Sequence, residues 1–263
     1  MKNNRIIWGL VSLVVLITIA VSFGTMSSHS QQDTSKKQDK TGNEDLRSKI
    51  RDTFPVVEYS TQLKAGGDVN PKSEKYNKYK VLYPNITEDS EEVSFVDWEA
   101  ELTPLPIEKS QIVILGKVID VQAHLSSNKN SVYSEFKIEI EKVFKNSSQQ
   151  KFKDGKYISA EREGGIVSFP SGYKTWYRIA GQIMPKTGQK YLFFLTHDFP
   201  MYGQKQDLFL LTGYELRDGR VFPLDNPGGG THSIAKFYAG KEVSVLLDDL
   251  QNALEKSTNV LPK

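Results

Sequence analysis

The sequence has no cysteine in its 263 residues, which excludes disulfide bonds, thiolate metal sites, iron–sulfur clusters and a cysteine nucleophile. An excess of one charge is also lacking, because 34 basic side chains nearly balance 32 acidic ones and leave a net charge of +2. Such a small net charge creates no broad positive field for phosphate backbones, so we expect no nucleic-acid partner. What is present, 38% hydrophobic and 25% charged residues, is typical of a globular protein with one core.

One long apolar run lies near the N terminus. Residues Ile6–Phe23 approach the roughly 20 residues that a membrane-spanning helix needs. Because Lys2 and Arg5 precede this run, the positive-inside rule places the N terminus in the cytoplasm and the rest of the chain outside. The run is longer than the apolar part of most signal peptides, so we predict a single-pass membrane anchor. The alternative is a signal peptide cleaved near Ser22, which would release a secreted protein.

The segment after the apolar run predicts a flexible linker. From Ser27 to Asp45 there is no aliphatic or aromatic side chain, so nothing there offsets the entropy cost of ordering. Residues 46–107 show little periodicity, and we predict an irregular arm that packs on the main domain through Val93 and Phe95. The acidic residues between positions 88 and 101 lack calcium-loop spacing and are predicted to face solvent.

From Ser110 onward the pattern is typical of β-strands. Apolar and polar residues alternate after Tyr133, and Gly116 interrupts a β-branched run where we predict a bulge or a corner. A polar turn, Ser126 to Asn130, indicates that the first two strands form a hairpin. The predicted strands are Ile112–Val121, Tyr133–Phe144, Lys156–Glu161, Ile166–Phe169, Lys174–Ile179, Lys190–Thr196 and Leu208–Leu216, with a short strand after Asp218-Gly219.

The number and spacing of these strands predict a mainly β fold, a small antiparallel barrel. Apolar residues at three- and four-residue steps after Gly240 add a C-terminal amphipathic helix. We therefore divide the chain into a membrane anchor or signal peptide (residues 1–25), a disordered linker (26–45), an irregular arm (46–107), a barrel domain with its C-terminal helix (108–257) and a tail (258–263).

Several short segments of the barrel domain carry a resemblance to known proteins. They are Val132-Tyr133-Ser134-Glu135-Phe136, Arg162-Glu163-Gly164-Gly165, Pro170-Ser171-Gly172, Gly181 to Pro185 and Leu211-Thr212-Gly213-Tyr214-Glu215. These segments resemble a group of secreted or membrane-anchored, functionally uncharacterised bacterial proteins. The resemblance extends from Pro104 to Pro223 and implies a small barrel of the OB type. By analogy, the barrel with a C-terminal helix is similar to netrin-type or metalloproteinase-inhibitor modules, whose inhibitors need an N-terminal cysteine that is absent here.

The sequence contains no motif that assigns a catalytic site. It has no Gly-x-Ser-x-Gly elbow, and its four histidines are isolated, so we predict no metal and no cofactor. Glu161 and Glu163 alternate on a predicted strand and therefore point to the same side, where neighbouring basic residues would keep them exposed and paired. A weaker hypothesis makes these glutamates, or His197, acid/base groups of a hydrolase that acts on an envelope polymer.

The residues predicted to bind a partner are aromatic and basic. In the strand Lys174–Ile179, alternation places Lys174, Trp176 and Arg178 on one face, and two unpaired charges are costly to bury. We therefore predict that this face is exposed and that Trp176, together with Tyr202 of a later loop, contacts an anionic partner.

Taken together, these features predict an extracytoplasmic, membrane-tethered binding module for a protein or polymer of the cell envelope, without catalysis. The membrane itself is contacted through residues 6–23. Two alternatives remain open, the envelope-polymer hydrolase and a structural part of a membrane complex.

Overall fold

The computed structural model describes residues 44–60, 71–78, 86–95, 102–197, 208–225 and 237–259. Helix α1 covers residues 44–51, a short helix α2 covers Pro71–Lys75 and continues into a 3-10 turn at Tyr76–Lys78, and helix α3 covers Val243–Asn259. The strands are β1 (Val56–Glu58), β2 (Glu92–Phe95), β3 (Ile112–Leu125), β4 (Val132–Asn146), β5 (Tyr157–Glu163), β6 (Gly165–Ser168), β7 (Lys174–Ile179), β8 (Lys190–Thr196), β9 (Phe209–Arg217) and β10 (Arg220–Pro223).

Five of these strands close into a barrel, which confirms the predicted mainly β barrel fold. The strand order around the barrel is β3-β4-β5-β9-β8, and β8 pairs again with β3. Four of the five pairings are antiparallel, whereas β5 and β9 run parallel and meet at Glu161 and Phe209. The prediction of a purely antiparallel barrel is wrong at this one junction.

Alternation along the strands separates the barrel interior from its outer surface. Phe136, Ile138 and Ile140 of β4 are buried in the central apolar cluster, together with Ile158 and Ala160 of β5. The residues between them therefore point away from the interior. This alternation fixes which side chains of β4 and β5 are available on the outside.

Gly116 lies at a break in the register between β3 and β4, as the sequence predicts for a bulge. A Cβ atom at this position would lie 2.6 Å from Cγ2 of Ile138 and 2.8 Å from the backbone oxygen of Glu139. Glycine is therefore required here because the two strands approach too closely for a side chain.

A second, four-stranded sheet packs beside the barrel, in the order β1-β6-β7-β2. Its two outer strands come from the segment predicted to be an irregular arm, and each pairs in parallel with a strand of the β6–β7 hairpin. Gly164, with a φ of +112°, turns the chain from the barrel strand β5 into β6. Part of the predicted irregular arm is therefore regular structure.

Helix α3 packs on the outside of β8, β9 and β10. Leu246 and Leu250 are fully buried in an apolar cluster with Phe194 and Tyr214, and the Tyr238 hydroxyl donates a hydrogen bond to Oδ2 of Asp249 at 3.0 Å. This cluster lies on the opposite side of β8 and β9 from the barrel interior, so α3 covers a wall of the barrel.

The predicted membrane segment Ile6–Phe23 and most of the predicted linker lie outside the described residues. Within the described part of the chain, no helix is both long enough and apolar enough to cross a bilayer. Residues 44 and 45, which were predicted to belong to the linker, are helical and form part of α1.

Candidate functional site

Trp176 is buried in the structure, and the prediction that it is exposed is wrong. Its side chain is 1% exposed and lies in the central apolar cluster, where its ring contacts Phe54 edge-on at 5.1 Å between centroids. Strand β7 is an inner strand of its sheet, and both of its faces are covered. Trp176 therefore contributes to the core.

The prediction of an exposed Trp176 failed because the charge of Arg178, on the same face of β7, is paired within the protein. Its Nε donates a hydrogen bond to Oε1 of Glu92 at 2.7 Å, and its guanidinium lies 4.4 Å from the centroid of the Trp176 ring. The premise of two unpaired charges fails because β2 brings a carboxylate to this face. Lys174 lies exposed at the beginning of β7, and Tyr202 lies outside the described residues.

The two glutamates of β5 are buried, contrary to the prediction that they are exposed. Glu161 is 3% exposed and Glu163 is 5% exposed. In the strand register, Glu163 lies opposite Tyr133 of β4, which in turn lies opposite His124 of β3. These four outward-facing residues, His124, Tyr133, Glu161 and Glu163, form what we call the covered face.

The segment that covers this face is residues 71–78, which we call the strap. Its Tyr76 ring stacks on Tyr133, with 4.7 Å between centroids and 7° between planes, and also on His124 at 5.7 Å. The Tyr76 hydroxyl donates a hydrogen bond to Oε1 of Glu161 at 3.1 Å, and the Lys75 ammonium forms an ion pair with the same oxygen. The burial of Glu161 thus depends on two side chains that are remote in sequence.

The strap is also tied to the loop between β3 and β4. Nδ2 of Asn77 donates to the Ser127 hydroxyl at 2.5 Å, and Oδ1 of Asn77 accepts from the backbone N–H of Asn128 at 2.9 Å. The backbone oxygen of Ser73 accepts a further hydrogen bond from the N–H of Ser127 at 3.0 Å. Both ends of the strap are therefore held by polar contacts.

A cleft of about 240 Å³ opens beside the covered face, where β5 and β9 meet. Two carboxylates line it, those of Glu135 and Glu161, which are opposite each other in the β4–β5 register. Tyr157 lies on its border with 57% of its surface exposed, and the Lys137 ammonium lies 4.9 Å from the ring centroid. The lining residues are Lys75, Glu135, Gln150, Phe152, Tyr157, Ile158, Ser159, Glu161 and Leu208.

His197 does not line this cleft. Glu161 pairs with Phe209, and Phe209 pairs with Thr196, the residue before His197. Strand β9 therefore separates His197 from Glu161. The backbone N–H of His197 donates to Oε1 of Gln111 at 3.0 Å.

Arg162, between the two glutamates, points to the other side of β5. Its guanidinium is buried, donates to the backbone oxygen of Ile183 at 2.8 Å and forms an ion pair with Asp225. Asp225 also accepts a hydrogen bond from the Thr212 hydroxyl at 2.5 Å. This second polar network holds the chain after β10 against the barrel. Arg162 therefore does not pair with Glu161 on the outer side of β5.

In the described part of the chain, no three histidine, aspartate or glutamate side chains are grouped so that they could hold a metal ion.

No protein-family model matches this chain, and no curated protein is significantly similar in sequence.

Proposed function

We propose that this chain is a non-catalytic binding module that engages a protein or polymer of the cell envelope through the cleft beside Tyr157. In this proposal the predicted segment Ile6–Phe23 tethers the module to the membrane and places it outside the cytoplasm. The observation that carries the proposal is an exposed aromatic ring bordering a recess that is lined with hydrogen-bonding side chains.

The strand order supports a ligand site at this position. An order of β3-β4-β5-β9-β8 with a parallel β5–β9 contact agrees with an OB-like barrel, the fold that the resemblance implies. OB folds commonly bind ligands on the outer face of their second and third strands, which are β4 and β5 here. Fold alone does not assign function, so the side chains of the cleft have to carry the argument.

The size and chemistry of the cleft indicate what it accepts. Its volume of about 240 Å³ is below the roughly 300–1,000 Å³ of most small-molecule pockets, which suits one side chain or one repeat unit of a larger ligand. Gln150 and Ser159 offer neutral hydrogen-bonding groups, and Tyr157 offers a rigid ring with a polar end. The carboxylates of Glu135 and Glu161 and the ammonium of Lys75 add charged groups to this lining.

Photo-cross-linking in intact cells tests this proposal. A photoreactive phenylalanine is placed at Tyr157 or, as a matched control, at Tyr173, a 40% exposed tyrosine near the start of β7. We expect a cross-linked envelope component from position 157, and we expect Glu135→Lys to remove it. Cross-links of equal yield from both positions would favour a structural part of a membrane complex, and cross-links from position 173 alone would refute the proposal.

A hydrolase remains the second candidate because Glu135 and Glu161 lie side by side on neighbouring strands in the lining of the cleft. Opposed residues on neighbouring strands have Cβ atoms about 4.5–5.5 Å apart, close enough for two carboxyl groups to act on one bond. Glu163 and His197 are not among the residues that line the cleft, and β9 separates His197 from Glu161, so neither joins this pair. Release of soluble fragments from envelope material, abolished by Glu135→Gln, would favour this candidate over binding.

A further inference from the structure

Charged groups of both signs lie at the cleft. The carboxylates of Glu135 and Glu161 line it together with the ammonium of Lys75, which forms an ion pair with Glu161. A second ammonium, that of Lys137, lies 4.9 Å from the ring centroid of Tyr157 at the border of the cleft. Because these two carboxylates and two ammonium groups offset one another, charge complementarity favours a ligand without net charge.

Most side chains of the cleft lining can form hydrogen bonds. The carboxylates accept them, the ammonium of Lys75 donates them, and Gln150 and Ser159 do both. Three lining residues are apolar, namely Phe152, Ile158 and Leu208. Because a hydroxyl group both donates and accepts, a ligand rich in hydroxyl groups matches this mixture of donors and acceptors better than an apolar ligand does.

The Tyr157 ring supplies a flat surface beside these polar groups, and 57% of the residue is exposed. The face of an aromatic ring carries partial negative charge. The C–H groups on the flat side of a sugar ring carry partial positive charge and therefore pack well on such a face. An exposed tyrosine at the border of a polar recess is thus suited to a sugar ring whose hydroxyl groups point into the recess.

Two rows of polar side chains continue from the cleft across the outer face of the barrel. Each row takes one residue from each of β3, β4 and β5, and directly opposed residues share one face of a sheet. What we call the polar rows are Gln122, Glu135 and Glu161 in one row, and Asp120, Lys137 and Ser159 in the other. The rows cross two strand spacings, about 9–10 Å in all. A polymer can therefore extend from the cleft across β4 and β3.

The backbone of this face is not available to an added peptide strand. Strand β4 pairs with β3 on one side and with β5 on the other, so a ligand on its outer face meets side chains only. A peptide that adds to a sheet needs the free main-chain groups of a strand edge, and β4 offers no such edge. Polar side chains and one aromatic ring are thus the recognition groups, which favours a sugar polymer over an extended peptide.

We infer that the cleft and the polar rows bind an uncharged glycan strand, with one sugar ring packed on Tyr157 and its hydroxyl groups hydrogen-bonded in the cleft. The inference rests on the proposed function, which places the ligand site beside Tyr157. It selects a polysaccharide among the envelope components that could bind there. A protein and a polyanion are the alternatives that the test separates.

Isothermal titration calorimetry on the full-length chain tests the inference. The probes are two uncharged tetrasaccharides, chitotetraose and cellotetraose, and the polyanion dextran sulfate. We expect saturable binding of at least one tetrasaccharide, with an affinity that changes less than about two-fold between about 0.05 and 0.5 M salt, because salt screens only charged ligands. Failure of both tetrasaccharides to bind would overturn the inference, and so would binding of dextran sulfate alone.

Variants at the cleft test the role of the ring. Tyr157→Ala should weaken tetrasaccharide binding at least about ten-fold, whereas Tyr157→Phe, which keeps the ring, should stay within about three-fold of the wild type. Gln150→Ala removes an amide from the lining and should weaken binding at least about three-fold. The control Tyr173→Ala changes an exposed tyrosine near β7 and should bind like the wild type. Equal affinities of Tyr157→Ala and the wild type would overturn the inference.

Failure of this inference and failure of the proposed function give different results. The component cross-linked from position 157 should survive protease digestion and yield sugars on acid hydrolysis. A cross-linked protein at this position, without tetrasaccharide binding, would overturn the inference and leave the proposed function in place. Tetrasaccharide binding that needs Tyr157, without a cross-link in intact cells, would support the glycan site and count against its engagement of the envelope.

Discussion

Strands β5 and β7 both carry charged and aromatic side chains, yet they have different roles. In β7, the Arg178 guanidinium pairs with the Glu92 carboxylate and lies over the ring of the buried Trp176, so this face is part of the core. In β5, the carboxylate of Glu161 is held by a short strap and borders an open cleft. The presence of charged residues on one face of a strand therefore does not show whether that face is buried or exposed. The position of the oppositely charged side chain also has to be known.

The strongest test of this comparison is the truncation of Trp176. Because the ring is buried against Phe54, we expect Trp176→Ala to lower the free energy of unfolding by about 3–5 kcal/mol. Urea unfolding followed by circular dichroism measures the change. Tyr173→Ala, at an exposed position nearby, is the control and should stay within about 0.5 kcal/mol of the wild type. A loss below about 1.5 kcal/mol would return Trp176 to the surface and break the comparison.

A smaller effect is expected at the ion pair between the strap and the barrel. Lys75→Met leaves the buried Glu161 without its cation, whereas Glu161→Gln leaves a lysine whose side chain is 30% exposed and can reach water. We therefore expect losses of about 1–3 kcal/mol for Lys75→Met and a smaller loss for Glu161→Gln. The control is Lys49→Met, which breaks an exposed pair with Asp45 and should cost less than about 1 kcal/mol. Equal losses from Lys75→Met and Lys49→Met would contradict the burial of Glu161.

The pH dependence of the free energy of unfolding tests whether the side chains of β7 are buried. Burial raises the pKa of Tyr177 to about 12, and its hydroxyl donates a hydrogen bond to the backbone oxygen of Thr87 at 3.1 Å. Burial also raises the pKa of Tyr191 and of Tyr214. Because unfolded tyrosines ionise near pH 10, the folded state holds these protons more tightly between pH 10 and 12. This contribution to stability is complete below pH 10 and is lost as the pH rises through 12.

Melting temperatures measured between pH 8 and 12 check this expectation, with tyrosinate absorbance followed in the same samples. Tyr177→Phe should lower the melting temperature below pH 10 through the lost hydrogen bond, by about 1 kcal/mol or less in free energy. It should also make the fall above pH 10 shallower. An unchanged slope would show that Tyr177 ionises as freely in the folded state as in the unfolded one.

The sequence predicts the barrel well because its signals are local. The bounds of β7 and β8 agree with the predicted strands Lys174–Ile179 and Lys190–Thr196, and Gly116 marks a real bulge. β1 and β2 were missed because they are three and four residues long and pair in parallel with strands far along the chain. Such pairing leaves no periodic pattern in the sequence.

The candidate site could be predicted only in part, because it also depends on contacts between residues that are far apart in the sequence. Alternation placed Glu161 and Glu163 on one side of their strand, and the pairing of the two neighbouring strands confirms it. The burial of Glu161 depends on Lys75 and Tyr76, which lie 86 and 85 residues away from it in the sequence. A weak signal was present in the sequence, where four lysines lie between positions 72 and 80. One of them, Lys75, forms the ion pair with Glu161.

The most direct test of the central claim, that the ligand-binding face lies at β5 and not at β7, is hydroxyl-radical footprinting of two exposed tyrosines. Tyr157 and Tyr173 are 57% and 40% exposed, so both should be oxidised readily in the free protein. Oxidation is measured by mass spectrometry before and after addition of a solubilised envelope fraction. We predict that Tyr157 becomes protected while Tyr173 does not, and that Tyr157→Ala abolishes binding while the free energy of unfolding changes by less than about 0.5 kcal/mol. Protection of Tyr173 alone would contradict the account and return the binding surface to β7.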